Sequence, residues 1–138
     1  MDPVASKKFL DESLNRLKRM QEGLGYPSEG VISEEPFIYI PLPSSRFSRS
    51  FVLRAKPDQE YPMHPADYTF VNVEDYKQEG VAYWPTDGGQ AFKLENPPWI
   101  CMSGTLTWTT HGHPNPGIRD NLIENVAFSI FVKLNKSS

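Results

Sequence analysis

The chain has 138 residues, of which 38% are hydrophobic and 22% are charged, and its formal net charge at pH 7 is -3. This length and composition are typical of one globular domain, so we expect residues 1–138 to form a single domain with one hydrophobic core. The acidic balance lacks the basic footprint of nucleic-acid-binding proteins, and no apolar run approaches the ~20 residues of a membrane-spanning helix. We therefore expect neither nucleic acid nor a membrane as a partner.

The chain contains a single cysteine, Cys101, so no internal disulfide can form. The N-terminal residues also lack the charged and then apolar pattern of a secretory signal. A lone cysteine in such a chain is typical of a reducing compartment. We therefore expect a cytoplasmic protein.

The first predicted element is an amphipathic helix over residues 3–21. Leu10, Leu14 and Leu17 recur at spacings of four and three residues, which places them on one helix face. The glycines and the proline between residues 23 and 27 end this helix.

Three strands are predicted next, at residues 37–40, 47–55 and 68–73, because short runs with strand-forming residues are separated by turn residues. Pro41 and Pro43 are expected to end the first of these strands. Consecutive strands joined by tight turns favour antiparallel pairing, since parallel pairing needs long crossovers. We predict an antiparallel meander of about four strands.

After Tyr76 the sequence is irregular as far as the cysteine, and a long ordered segment of this kind is more often functional than not. Residues 105–110 are predicted to form a short strand. A closing helix capped by Asp120 or Asn121 is predicted to extend to Leu134. The order of helix, meander, long loop and helix defines an α+β fold.

Several motifs occur in the order in which ubiquitin-conjugating enzymes carry them. Residues 61–65 (Tyr-Pro-Met-His-Pro) lie between two predicted strands, where that family has a Tyr-Pro pair and further prolines. Residues 100–102 (Ile-Cys-Met) resemble the segment around the family's cysteine, and Trp108 and the closing helix match the tryptophan and the helix that the family has after it. The chain resembles a ubiquitin-conjugating enzyme from its first helix to its last, with the long segment before Cys101 as the active-site loop.

Two features are more similar to the divergent bacterial branch of ubiquitin-conjugating-like proteins. The family's His-Pro-Asn triplet precedes its cysteine, whereas residues 113–115 (His-Pro-Asn) come after Cys101 here. Residues 73–98 form an insertion, and a single helix is expected after the cysteine. Proteins of that branch are found with a ubiquitin-like protein, an activating enzyme and a metalloprotease of the deubiquitinase type.

The resemblance implies a transthioesterification. Cys101 would accept the C-terminal glycine of a ubiquitin-like protein from the thioester of an activating enzyme, and would pass it to a nucleophile of an acceptor protein. One thioester is exchanged for another at little cost in free energy, so the chain would mainly position its partners. It would be an acyltransferase of the ubiquitin-conjugating type that needs neither a cofactor nor a metal.

Neutral amide and imidazole donors can stabilise an oxyanion, and a carboxylate can orient or deprotonate an incoming nucleophile. The candidates for these catalytic roles are His111, His113, Asn115 and Asp87. Trp99 is the candidate for lining a channel that holds the tail of the modifier. The family usually meets its activating enzyme through the first helix, where the candidate contacts are Lys7, Lys8, Arg16 and Lys18.

Other interpretations stay open at this point. A free cysteine is often buried and inert, and an inactive relative of the family could use the same fold only to bind ubiquitin. A histidine beside the thiol could be the base of a Cys-His hydrolase. Imidazole and thiolate are also preferred zinc donors, and the possible ligands are Cys101, His111 and His113 with His64 or Asp87.

Overall fold

The computed structural model describes residues 3–86 and 91–136, and it confirms the α+β prediction. The helices are α1 (Pro3–Gly23), α2 (Leu106–Thr110), α3 (Ile118–Asn121) and α4 (Ile123–Asn135), with 3-10 turns at Ser28–Gly30 and Val81–Tyr83. The strands are β1 (Ile32–Glu34), β2 (Phe37–Ser44), β3 (Arg49–Lys56), β4 (Asp67–Val71), β5 (Phe92–Lys93) and β6 (Trp99–Ile100). No helix in the described part of the chain is both long and apolar enough to cross a lipid bilayer.

The main sheet has the strand order β1-β2-β3-β4, and all of its pairings are antiparallel, as predicted. The sequence does not predict β1, because this three-residue segment shows no apolar alternation. In the structure all three of its residues are exposed, so burial imposes no pattern on them. β5 and β6 form a separate antiparallel pair in the segment that leads to Cys101.

The predicted end of a strand at two prolines is wrong, because β2 continues through Pro41 and Pro43. Gln21 Nε2 donates to the Pro41 carbonyl at 2.5 Å, and Asn135 Nδ2 donates to the Pro43 carbonyl at 2.9 Å. The nitrogen and the carbonyl of a strand residue face the same side, and β1 pairs only with the first residues of β2. Both proline nitrogens therefore face a side without a partner strand, where proline is tolerated.

The core lies between one face of the sheet and the two long helices. Ile40, Leu53 and Phe70 face one another on adjacent strands, and all three are fully buried. Leu17 of α1 and Ile130 of α4 are also fully buried. Each such side chain contributes roughly 1.5–3 kcal/mol of transfer free energy, so this face holds both helices on the sheet.

A buried polar network joins α1, the turn around the Tyr-Pro pair and the start of α4. The Tyr61 hydroxyl accepts a hydrogen bond from the Ile123 backbone N–H at 2.8 Å and lies 2.6 Å from Ser13 Oγ. Ser13 Oγ donates to Glu124 Oε1 at 2.6 Å, and Arg16 Nη1 lies 3.0 Å from Glu124 Oε2. The turn is thereby fastened to both helices, and burial raises the pKa of Tyr61 to about 12.

The outer face of the sheet is covered by the loop at residues 72–79. The ring of Tyr76 packs against Tyr39, with 5.5 Å between the ring centroids. The Asp75 carboxylate accepts hydrogen bonds from the backbone N–H groups of Lys77 and the following residue, which lowers the pKa of Asp75. This loop lies on the side of the sheet away from α1 and α4.

The predicted strand at residues 105–110 is wrong, because this segment contains α2. The side-chain oxygen of Thr105 accepts a hydrogen bond from the Trp108 backbone N–H at 3.2 Å and so caps the helix. Only an isolated bridge to Ala66 pairs this segment with the sheet region. The side-chain cap outweighs the strand preference of the threonines.

The closing helix is confirmed, but it begins at Ile123 and the predicted caps belong to a separate turn of helix. Asp120 and Asn121 lie in α3, and Leu122, with extended dihedral angles, separates α3 from α4. The expectation of a single helix after the cysteine is therefore also wrong, since α2, α3 and α4 all come after it.

Candidate functional site

Cys101 directly follows β6, and its thiol is held at the surface by its two neighbours. Ile100 and Met102 are buried in the core, while Cys101 itself is half-buried. The Cys101 backbone N–H donates to the Ala91 carbonyl at 2.6 Å. Because side chains alternate along an extended segment, burial of the neighbours turns the thiol away from the core.

Thr105 fixes the chain on the C-terminal side of the cysteine. Its hydroxyl is almost fully buried and donates to the Met102 carbonyl at 2.8 Å, while the same oxygen caps α2. The Leu106 backbone N–H donates to the Ala66 carbonyl at 2.9 Å. The segment that carries the thiol is thus tied to both α2 and the start of β4.

Gly104 brings this segment into direct contact with α3. Its φ is +94°, and a Cβ placed on it would lie 2.1 Å from the Asp120 carbonyl oxygen and 2.9 Å from Val126 Cγ2. Only glycine fits both the dihedral angle and the close approach. The chain just after Cys101 therefore packs on the backbone of Asp120.

A cleft of about 400 Å³ opens at the thiol. We call it the Cys101 cleft. Its lining includes side chains from the cysteine segment, α2, α3 and α4, among them Cys101, Trp108, Asp120, Asn125, Ser129 and Lys133. The three α4 residues in this set are spaced by four, so one edge of that helix forms a wall of the cleft.

The Cys101 cleft is lined by an acidic residue and by neutral polar residues together with Cys101. Asp120 supplies the carboxylate. Asn125 Nδ2 donates to the Arg119 carbonyl at 2.8 Å, which leaves its second N–H for another acceptor. Ser129 supplies a hydroxyl. A nucleophilic thiol, an acid or base group and uncharged donors are the groups that acyl transfer uses.

The two candidate histidines pack against tryptophans and do not line this cleft. The His111 ring is tilted by 57° against Trp99 with 4.1 Å between ring centroids, and His113 stacks nearly parallel to Trp108 at 3.7 Å. Both imidazoles are exposed. Trp108 lines the Cys101 cleft, so His113 contacts a lining residue without lining the cleft itself.

Asn115 also lies outside the cleft lining, and its amide holds two loops together. Its Nδ2 donates to the Met63 carbonyl at 2.8 Å, and its Oδ1 accepts from the Gly117 N–H at 3.0 Å and from Asn121 Nδ2 at 2.9 Å. Asn121 Nδ2 also lies 3.0 Å from the Pro62 carbonyl. These amides join the Tyr-Pro turn to the loop before α3.

Trp99 is half-buried and is not among the residues that line the Cys101 cleft. Its Nε1 donates to Glu95 Oε2 at 3.0 Å, and its ring carries His111. Asp87, the predicted acidic residue, lies outside the described residues. Asp120 is the one acidic residue among the described residues that lines the Cys101 cleft.

The four predicted cations of α1 do not form one uniform basic surface. Lys7 Nζ lies 3.2 Å from Asp11 Oδ2. Arg16 lies at the buried network and contacts Glu124, which raises the pKa of Arg16. Lys8 and Lys18 are exposed and are the two that remain suited to meeting another protein.

No group of three or more His, Cys, Asp or Glu side chains with the geometry of a metal site occurs within residues 3–86 and 91–136. His64, one proposed ligand, instead has its Nδ1 3.1 Å from Asp58 Oδ2. The zinc interpretation therefore has no ligand set in the described part of the chain.

Sequence reasoning missed the α4 wall and the place of Asp120 at the cleft. The spacing of Asn125, Ser129 and Lys133 is visible in the sequence as a polar edge beside the apolar stripe of the closing helix. The sequence predicts Asp120 only as a helix cap, and nothing local indicates that its backbone meets Gly104.

Comparison of the chain with protein-family models, with curated proteins and with solved structures gives no significant match.

Proposed function

We propose that this protein is a cytoplasmic acyltransferase of the ubiquitin-conjugating type, similar to the divergent bacterial branch, which carries a ubiquitin-like protein as a thioester on Cys101. The observation that carries the proposal is the half-buried Cys101 in the lining of a cleft that Asp120 also lines. A second support is that the order of helices and strands before and after this thiol resembles the order in that family. Its partners would be an activating enzyme, the modifier and an acceptor protein.

In the first step the Cys101 sulfur attacks the thioester carbonyl carbon of the modifier on its activating enzyme. The new carbon–sulfur bond forms as the bond to the enzyme's sulfur breaks, and the proton of Cys101 leaves with the departing thiol. The oxyanion formed in between would accept hydrogen bonds from Asn125 and Ser129, which replace His111, His113 and Asn115 in this proposed role.

In the second step a nucleophile of the acceptor protein attacks the carbonyl carbon of the Cys101 thioester. The new bond to nitrogen or oxygen forms as the carbon–sulfur bond breaks, and Cys101 leaves as a thiolate that is reprotonated. Asp120 orients this nucleophile and accepts its proton, the role that the sequence predicts for Asp87. A positioned general base contributes on the order of 10²–10⁴ in rate. Asp120 is therefore a catalytic residue for transfer to the acceptor, whereas loading of Cys101 does not depend on it.

The exposed side of α4 is the proposed binding surface for the folded domain of the modifier. Phe128 and Val132 are 51% and 42% exposed and lie on the helix next to the residues of the cleft wall. A tail held in the Cys101 cleft would bring the folded part of the modifier onto this apolar stripe. Exposed apolar surface beside a cleft is typical of a protein contact.

The decisive experiment mixes the protein with a competent activating enzyme, ATP and the ubiquitin-like protein. We expect a conjugate that a reducing agent removes and that Cys101→Ala abolishes. Cys101→Ser should give a conjugate that resists the reducing agent. Absence of any reducible conjugate would sink the proposal, and binding of the modifier without it would indicate an inactive ubiquitin-binding relative.

Asp120→Asn separates the two steps. Loading of Cys101 should stay near the wild-type rate, while discharge of the thioester to an amine such as free lysine should slow by about 10²-fold or more. Single-turnover discharge followed on non-reducing gels measures this. Ser103→Ala, a change of an exposed polar residue at the same cleft, serves as the matched control. Equal discharge rates for Asp120→Asn and wild type would remove Asp120 from the mechanism.

A further inference from the structure

Lys133 is the only lysine among the described residues that lines the Cys101 cleft. It lies on the α4 wall, one helical turn after Ser129, and its side chain is exposed. It makes no ion pair with any described residue. A lysine amine on a flexible four-carbon stem can therefore sweep the space in front of the thiol.

From this juxtaposition we propose that Lys133 is an internal acceptor, which takes the acyl group from Cys101 by sulfur-to-nitrogen transfer. The inference rests on the proposed function, since it needs an acyl group on the thiol. The substrate class is a glycine-terminated acyl chain held as a thioester, and the product is an isopeptide on the protein's own α4.

The transfer from Cys101 to Lys133 needs no reactant other than the acylated protein. The neutral Nζ of Lys133 attacks the thioester carbonyl carbon, a carbon–nitrogen bond forms and the carbon–sulfur bond breaks. Cys101 leaves as a thiolate, and the extra proton on nitrogen passes to it or to water. Amides are more stable than thioesters, so the transfer is not reversed. Proximity of this kind converts a bimolecular step into an internal one.

The modification would regulate the site that makes it. An isopeptide on Lys133 leaves a peptide anchored in the Cys101 cleft, where the next modifier tail has to enter. Free Cys101 is regenerated, but its cleft is occupied. The protein would therefore limit its own turnover when no external acceptor is available.

Lys93 is the rival amine that the test has to exclude. In the β5–β6 pair Lys93 lies opposite Trp99, and Trp99 and Cys101 project from the same face because Ile100 between them points inward. Lys93 thus shares a face with the thiol, although it does not line the cleft.

The probe is a short synthetic peptide that ends in Gly-Gly and carries a mercaptoethanesulfonate thioester, which needs no activating enzyme. Because Cys101 is the only cysteine, an adduct that dithiothreitol removes reports acylation of that residue alone. Intact-protein mass spectrometry tracks how a removable adduct becomes a resistant one, and peptide mapping locates it.

We expect the resistant adduct on Lys133 in the wild type. Lys133→Arg should keep the removable adduct and form the resistant one at least tenfold more slowly. Lys93→Arg and Lys136→Arg should behave as wild type, and Cys101→Ala should form neither adduct above background. A resistant adduct that persists in Lys133→Arg, or that maps to Lys93, overturns the inference.

This assay distinguishes failure of the internal transfer from failure of the carrier function. A removable adduct that never becomes resistant overturns the internal transfer and leaves the carrier function standing. If the wild type forms no removable adduct, the thiol is not accessible to a thioester, and both proposals fall.

Discussion

Tyr61 is the residue at which the Tyr-Pro turn, α1 and α4 are joined, and its burial makes stability depend on pH. Burial raises the pKa of Tyr61 from 10.0 to about 12, so the folded state favours the neutral phenol. This contribution is fully present below pH 10 and is lost as the pH rises through 12. Urea titrations between pH 8 and pH 12 should show stability falling over that window, and Tyr61→Phe should flatten the fall.

At neutral pH, Tyr61→Phe should destabilise the fold by about 1–3 kcal/mol, because it leaves the Ile123 N–H and the Ser13 hydroxyl with one partner fewer. Tyr83→Phe is the matched control, since the Tyr83 hydroxyl makes only a 3.4 Å contact with Asn72. The control should stay within about 0.5 kcal/mol of wild type. Equal effects of the two changes would contradict the proposed fastening.

Alanine substitutions at Gly104 and Gly112 distinguish the cost of backbone strain from the cost of a steric clash. Their φ angles are +94° and +93°, but a Cβ on Gly112 would meet nothing within 4 Å. Gly112→Ala should therefore cost only the dihedral strain, about 1–2 kcal/mol. Gly104→Ala should cost about 1–3 kcal/mol more, because Asp120 or the cysteine segment has to shift.

The measurements for this pair are urea denaturation and the rate at which a disulfide reagent modifies Cys101. Gly104→Ala should change the thiol's reaction rate, whereas Gly112→Ala should leave it near the wild-type rate. Similar values for the two variants would show that the contact between Gly104 and Asp120 does not position the thiol.

At the scale of elements, the exposed stripe of α4 formed by Phe128 and Val132 does not pack in the core, and the proposed function assigns it to contact with the modifier. Phe128→Asp should leave stability nearly unchanged, because the side chain is half exposed. It should slow transfer from the loaded protein by about tenfold, equivalent to 1.4 kcal/mol of lost contact with the modifier. Val73→Asp is the control, since Val73 is 41% exposed but lies in the loop over the opposite face of the sheet.

Transfer assays should use an amine acceptor in excess, so that the only protein contact tested is the one with the modifier. Equal slowing by Phe128→Asp and Val73→Asp would indicate a general effect of added charge. No slowing by Phe128→Asp would remove the α4 stripe from the proposed surface.

The predictions of helices and strands are correct where the local sequence pattern is compatible with only one structure. The apolar spacing of α1 and α4 matched the structure because burial against one face of each helix dictates that pattern. The predictions for residues 105–110 and Pro43 are wrong because their outcome depends on partners elsewhere. Thr105 finds a backbone N–H to cap, and Pro43 finds the amide of Asn135.

At the scale of the whole molecule, α1 is the proposed meeting surface for the activating enzyme, and the structure decides which of its cations can test this. Arg16 holds Glu124 in the buried network, so its reversal would disturb the fold. The double variant Lys8→Glu/Lys18→Glu alters only exposed charges and should slow loading of Cys101 several-fold at low salt.

This effect should shrink as ionic strength rises, because exposed charges are screened over about 10 Å at 0.1 M salt. Lys77→Glu, an exposed reversal in the loop over the other face of the sheet, should leave loading unchanged. The measurement is the initial rate of reducible conjugate formation at 50 and 300 mM salt. An unaffected rate in the double variant would count against α1 as the surface.

By itself the sequence determined the α+β order, the antiparallel meander and the position of the lone thiol between a long segment and a closing helix. These features depend on local periodicity, turn chemistry and composition, which act over a few residues at a time. It could not determine what faces that thiol. Tertiary structure decided that the Cys101 cleft contains Asp120, Asn125 and Lys133, because packing of Gly104 on α3 and of α4 on the sheet brings together residues that lie 19 to 32 positions away in the chain.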